Sequence, residues 1–89
     1  MRKVDASMSA LELLENRTRL DAHLASHAYA ERIYEHVQEL IGSGSEPSEI
    51  RDALRELHRR AREKHQVIER DAYVEVLDAL DEDYPHLGA

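Results

Sequence analysis

The chain of 89 residues contains no cysteine, phenylalanine or tryptophan, and its aromatic residues are four tyrosines. Without cysteine there is no disulfide framework and no thiolate metal site, which is typical of a reducing compartment. An interior of Leu, Ile, Val and Ala with few rings suits packed helices and argues against a β-sheet protein. The sequence therefore predicts one all-α domain.

Long apolar runs are also missing. No segment approaches the roughly 20 apolar residues that a membrane-spanning helix needs. The first residues are charged and are not followed by the apolar stretch of a signal peptide. We therefore expect a soluble, cytoplasmic protein without a membrane partner. The net charge of −7 also disfavours general binding to nucleic acid.

Glycine and proline are scarce and are concentrated at one point in the middle of the chain. Segment 42–46 reads Gly-Ser-Gly-Ser-Glu, and Pro47 follows it. Glycine permits the backbone conformation that ends a helix, Ser45 is placed to cap the next helix, and proline is tolerated in a first turn. The sequence predicts a turn at 42–46 between two helices.

Apolar residues recur every three or four positions on both sides of this turn. This periodicity predicts helices over about 9–41 and about 47–81. Ser9 and Glu12 have the spacing of a capping box, which supports a helix start at Ser9.

The helical domain is expected to cover 9–83, with a flexible N-terminus at 1–8 and a loose C-terminal tail at 84–89. Two positions inside the helices carry residues that are able to cap a new helix, Ser26 and Asp71. Breaks there would divide the long helices into shorter ones.

A second apolar stripe, which includes Leu13, Leu20 and Leu24, runs beside the main stripe of the first helix. A hairpin has one seam, so it leaves such a broad face partly exposed. Small domains with little interior are often stabilised by oligomerisation. We predict a long antiparallel helical hairpin that dimerises into a four-helix bundle. The alternative is a compact three- or four-helix monomer.

Charge is distributed unevenly along the second helix. Segment 50–70 contains seven basic and four acidic residues, whereas 71–83 contains six acidic residues and no basic one. Together with the surplus apolar face, this predicts a protein-protein interaction module without enzymatic activity, acting as an adaptor, inhibitor or antitoxin-like regulator. The candidate partner-binding residues are Leu13, Leu20, Leu24, Arg55, Arg59 and Arg62.

An alternative function is metal binding by histidine. His23 and His27 are four residues apart, on one helical face, and the register of an antiparallel hairpin would place His65 opposite His23. Zinc is the natural ion for such a site. No other cofactor is expected.

A further alternative concerns RNA. Arg59 and His65 are separated by five residues, and Arg51 and His58 by six. These pairs resemble the Arg–His motif of the HEPN superfamily of helical ribonucleases, and the resemblance implies that they act on a scissile RNA phosphate. The same basic stretch, the Arg55–Lys64 face, is also a candidate for weak nucleic-acid binding.

Overall fold

The computed structural model describes residues 9–19, 21 and 24–88, without the side chains of 87 and 88. This part of the chain contains four α-helices and no strand, which confirms the all-α prediction. The helices are α1 (Ala10–Arg19), α2 (Ser26–Gly42), α3 (Pro47–Glu63) and α4 (Val67–Asp83), and a 3-10 helix over Pro85–Gly88 follows.

The predicted capping box begins α1. The Glu12 N–H donates to Ser9 Oγ at 3.2 Å, and the Ser9 N–H donates to Glu12 Oε1 at 3.2 Å. At the next predicted start, α3 begins at Pro47, as expected. Its N-cap residue is Glu46 and makes no side-chain cap hydrogen bond, so the capping role predicted for Ser45 is wrong.

The structure divides both long helices that the periodicity predicts. The first break precedes Ser26, which is the first residue of α2 and not its cap. The second break lies at 64–66, whereas Asp71 is inside α4. His65 adopts a left-handed conformation with φ of 58°, and the Gln66 N–H donates to the Ala61 carbonyl at 2.9 Å. These are the features of a Schellman motif, which ends α3 although no glycine is present there.

Helix α4 packs against both α2 and α3, while α1 packs against α3 and α2. In contrast, α2 and α3 make few contacts beyond the turn that joins them. The long antiparallel hairpin is therefore not the arrangement observed, and the structure corresponds to the alternative compact fold. The reason is burial, because four shorter helices cover one another's apolar faces more completely than a single seam does. Dimerisation stays a prediction.

The core lies where these helices meet. Leu14, Ile33, Ile50, Leu54 and Leu80 are fully buried, and they come from all four helices.

The two ends of the chain differ from one another. Tyr84, at the start of the segment predicted to be loose, is partly buried and packs against the core, and 85–88 form the 3-10 helix. The N-terminal segment 1–8 lies outside the described residues. None of the helices in the described part combines the length and apolar character needed to cross a membrane.

Candidate functional site

An open groove of about 640 Å³ lies between α2 and α4. Two hydrogen bonds define how these helices lie, from His27 to Glu75 and from Tyr34 to Asp83. The first pair joins the beginning of α2 to the middle of α4, and the second pair joins later residues of both helices. Helices α2 and α4 therefore run in the same direction. The groove follows the line where they meet.

Small side chains form the floor of the groove. Ala30 and Ala79 contribute one methyl group each, and Val76, with 1% of its surface exposed, lines the groove together with them. Larger residues at the two alanine positions would fill the space between the helices. The hollow therefore exists because both helices present alanine where they face each other.

Polar contacts across the groove tie the two helices together. His27 Nδ1 lies 2.8 Å from Glu75 Oε2, and the Tyr34 hydroxyl donates to the Asp83 carboxylate. Burial and the adjacent Asp83 carboxylate raise the pKa of Tyr34 above its usual range, so the phenol stays neutral and keeps its proton for this bond.

Carboxylates form the rim. On the α2 side the exposed residues Glu31, Glu35 and Glu39 line the groove, and Glu75 lines it from α4. An apolar floor with charged margins is suited to an amphipathic ligand, because apolar atoms are removed from water while charged groups stay solvated at the edge.

The apolar residues predicted to bind a partner lie elsewhere. Leu13 and Leu24 are partly buried and pack against the core of their own chain. They leave less apolar surface for a partner than the sequence indicated. Leu20 lies outside the described residues, and the partner-binding role of all three stays a prediction.

The basic residues predicted to bind a partner are on the outer side of α3. Arg55 and Arg62 are exposed, and Arg59 donates to Glu56 and to Glu63 at 2.6 and 2.5 Å. Hydrogen bonds from Arg59, and then from Arg60, lower the pKa of Glu56 to about 2. The charge of Arg59 is largely compensated within its own helix, so this face is less basic than its arginine count indicates.

The three histidines of the predicted zinc site have separate surroundings. His23 lies outside the described residues, His27 contacts Glu75 and Glu31, and His65 is exposed in the turn after α3. The described part of the chain contains no group of three or more His, Cys, Asp or Glu residues placed to hold a metal ion. The predicted register also loses its basis, since α2 and α3 do not pack side by side.

The Arg–His pairs of the RNA alternative lie on α3 and in the turn that follows it. Arg51 and His58 are partly buried, and Arg59 is held by two glutamates as described above. Among the described residues no hydrogen bond joins the arginine and the histidine of either pair. The ribonuclease and nucleic-acid alternatives stay predictions.

A second cavity of about 200 Å³ lies where α1, α2, α3 and α4 converge. Tyr29 and Tyr73 line it and contact each other edge to face, with ring centroids 6.2 Å apart. Thr18, which is 2% exposed, donates from its hydroxyl to the Leu14 carbonyl at 2.8 Å. Burial raises the pKa of Tyr73 above its usual range, with a further contribution from Tyr29. These hydroxyls provide polar contacts inside the core of the chain.

Sequence reasoning missed the groove because its two walls are about 45 residues apart in the chain. One signal was present. The glutamates at 31, 35 and 39 repeat every four residues, which places them on one line of a helix. Comparison of the chain with protein-family models, with curated proteins and with solved structures gives no match.

Proposed function

We propose that this protein is a protein-binding module that receives a helical segment of a partner protein in the groove between α2 and α4. The observation that carries the proposal is the open groove of about 640 Å³ with an apolar floor and a carboxylate rim. The roles that fit this proposal are those of an adaptor, an inhibitor or an antitoxin-like regulator, since each acts by binding a segment of another protein.

The dimensions of the groove favour a helix. Its lining residues on α2 extend from His27 to Glu39. At about 1.5 Å per residue this is a length of roughly 18 Å, or about three helical turns. A helix in such a groove places side chains at every third or fourth position on the floor, which is a common mode of peptide recognition.

The walls of the groove are already ordered before a ligand arrives. Ile33 and Val37 of α2, and Val76 and Leu80 of α4, are buried in the core on the inner sides of the same helices. A preformed site loses little conformational entropy on binding. A larger share of the free energy gained from apolar contact therefore contributes to the affinity.

The test uses a display library of amphipathic helical peptides that is balanced in positive and negative charge. Peptides selected on the native protein are measured against Ala79→Trp, which fills the floor, and against Gln38→Trp, which narrows the α2 side. Val74→Trp is the matched control, because Val74 is on α4 but is 42% exposed and outside the groove.

We expect the selected peptides to lose binding to both groove variants and to keep binding to Val74→Trp. Circular dichroism establishes that each variant is folded. Peptides that bind all three variants equally, or a library that yields no helical binder, would contradict the proposal. Sedimentation at several protein concentrations distinguishes a further occupant, a second copy of the chain, which is the homodimer that the sequence predicted.

A further inference from the structure

The α2 side of the groove is a row of three carboxylates. Glu31, Glu35 and Glu39 follow one another at four-residue intervals, so that successive Cα atoms are about 6 Å apart along the helix axis. On the opposite side, Glu75 lines the groove, and α4 contains no basic residue from 71 to 83. Both margins of the groove are therefore acidic.

Most partners of these carboxylates within the chain are exposed. The exception is His36, whose side chain is 13% exposed and whose Nδ1 lies 3.5 Å from Glu39 Oε1. Arg17 Nη1 is 2.9 Å from Glu39 Oε1, and the two side chains are 42% and 62% exposed. Arg32 pairs with Glu35 in the same way at the surface, and His27 is 3.7 Å from Glu31. Ion pairs in contact with water are weak, so a cation brought by a ligand is able to replace them.

We infer that the segment bound in the groove is a cationic amphipathic helix, with Lys or Arg at four-residue intervals beside its apolar stripe. This inference rests on the proposed function and adds the chemistry of the partner. The alkyl stems of Lys and Arg lie along the apolar floor while their charged ends reach the rim. The acidic margins repel a segment of negative charge and so select against it.

The most basic helix of the chain, α3, does not offer such a segment to a second copy. The basic surface of α3 carries Arg55, Arg59 and Arg62, but the apolar residues of α3 are buried in its own core. That surface would bring positive charge without an apolar stripe. The partner is therefore a different protein, or a segment of one, that combines both features.

The experiment compares three synthetic helical peptides of about 12 residues, the length that fits the groove at about 1.5 Å per residue. All three share one apolar stripe and differ in their flanking residues, which are Lys, Gln or Glu. Binding is measured by fluorescence anisotropy to the native protein, and the Lys peptide is measured at about 0.05 and about 0.5 M salt, because salt shortens the range of charge interactions.

Two charge-reversed variants locate the effect. The first is Glu31→Lys with Glu35→Lys and Glu39→Lys, on the rim. The matched control is Glu46→Lys with Asp52→Lys and Asp71→Lys, which are exposed residues outside the groove. Each set replaces three negative charges by three positive ones, so both variants have the same net charge. If the rim variant does not fold, the same three glutamates are replaced by glutamine, which removes their charge without reversing it.

The native protein is expected to bind the Lys peptide about tenfold or more tightly than the Gln peptide, and the Glu peptide least. Salt should weaken binding of the Lys peptide. The rim variant should prefer the Glu peptide, whereas the control variant should keep the native order of affinities.

Equal binding of the Lys and Gln peptides, with both lost in Ala79→Trp, would overturn this inference and leave the proposed function intact. Equal losses in the two reversed variants would also overturn it, since net charge would then suffice. Absence of any groove-dependent peptide would refute the proposed function itself.

Discussion

The turns that end α2 and α3 have the same hydrogen-bond pattern and different residues at the critical position. After α2 the Gly44 N–H donates to the Ile41 carbonyl at 3.0 Å, and after α3 the His65 N–H donates to the Arg62 carbonyl at 3.2 Å. Gly44 has φ of 108° and His65 has φ of 58°. Glycine adopts positive φ freely, whereas a side chain makes it unfavourable, although His is enriched among the residues that do so.

Charge also distinguishes the two helix ends. The last turn of α3 contains Arg60 and Arg62, which interact favourably with the negative end of the helix dipole, and the last turn of α2 contains no basic residue. Arg60 additionally bonds Glu56 and Glu15. Helix α2 therefore ends at a glycine that adopts positive φ without strain. Helix α3 ends at a histidine for which positive φ is unfavourable, and packing and charge compensate for that strain.

The comparison predicts that Gly44 is the more sensitive position. Gly44→Ala should destabilise the fold by about 1–2 kcal/mol, because an alanine is strained at positive φ. The added methyl group meets no atom within 4 Å, so the loss reports backbone strain alone. Urea unfolding measures it.

Gly42→Ala is the matched control for this substitution. Gly42 is the last residue of α2, and a methyl group there also meets nothing within 4 Å. Since alanine favours a helix, this variant should be as stable as the native protein or slightly more stable. Equal losses at both positions would show that the two glycines differ less than their conformations indicate.

In the turn after α3 the change in stability should have the opposite sign. His65→Gly should stabilise the fold by a few tenths to about 1 kcal/mol, because relief of left-handed strain exceeds the extra freedom that glycine gives the unfolded chain. For a chain of this size a gain of about 1 kcal/mol raises Tm by roughly 4–8 °C. Differential scanning calorimetry checks it.

His58→Gly, inside α3, is the control and should be destabilising, since glycine weakens a helix interior. A loss of stability in His65→Gly as well would mean that the His65 side chain makes a contact that outweighs the strain.

The smallest effect concerns the charges near the end of α3. The pKa of Glu56 is lowered from 4.5 to about 2, chiefly by hydrogen bonds from Arg59 and then Arg60. The folded state thus binds a proton less readily than the unfolded state, and this stabilisation is complete above pH 4.5 and lost as pH falls towards 2. Glu56→Gln should therefore lower Tm slightly at neutral pH, with a difference that shrinks in acid.

Thermal melts of both proteins at a series of pH values measure this difference. Glu82→Gln is the control, since Glu82 is exposed and has no ion pair among the described residues. A difference between Glu56→Gln and the native protein that stays constant from neutral pH to pH 2 would indicate a cause other than the charge of Glu56.

The local features of the fold were predictable where a residue type determines backbone geometry. The capping box at Ser9, the central turn and the first-turn Pro47 each depend on near neighbours in sequence. Each is found, with the turn at 43–46 because Gly42 is still the last residue of α2. The break at 64–66 was not predictable in this way. Its central residue is a histidine, and the apolar periodicity continues through it, so nothing local marks the end of the helix.

The groove was predictable only in part. The repeat of Glu31, Glu35 and Glu39 and the acidic character of 71–83 are visible in the sequence. Their meeting on either side of Ala30 and Ala79 is not, because it requires α2 and α4 to pack in the same direction. The hairpin that the sequence favoured would have paired α2 with α3 and given no such groove.

The sequence by itself determined the helical class, the lack of disulfides, the central turn and the uneven charge, since composition and short-range geometry suffice for these. The tertiary structure decided where α3 ends, which helices are neighbours and where surface is left open. The physical reason is that burial of apolar area depends on contacts between distant residues. Such contacts offset the strain of a single left-handed residue such as His65, whose own preference points the other way.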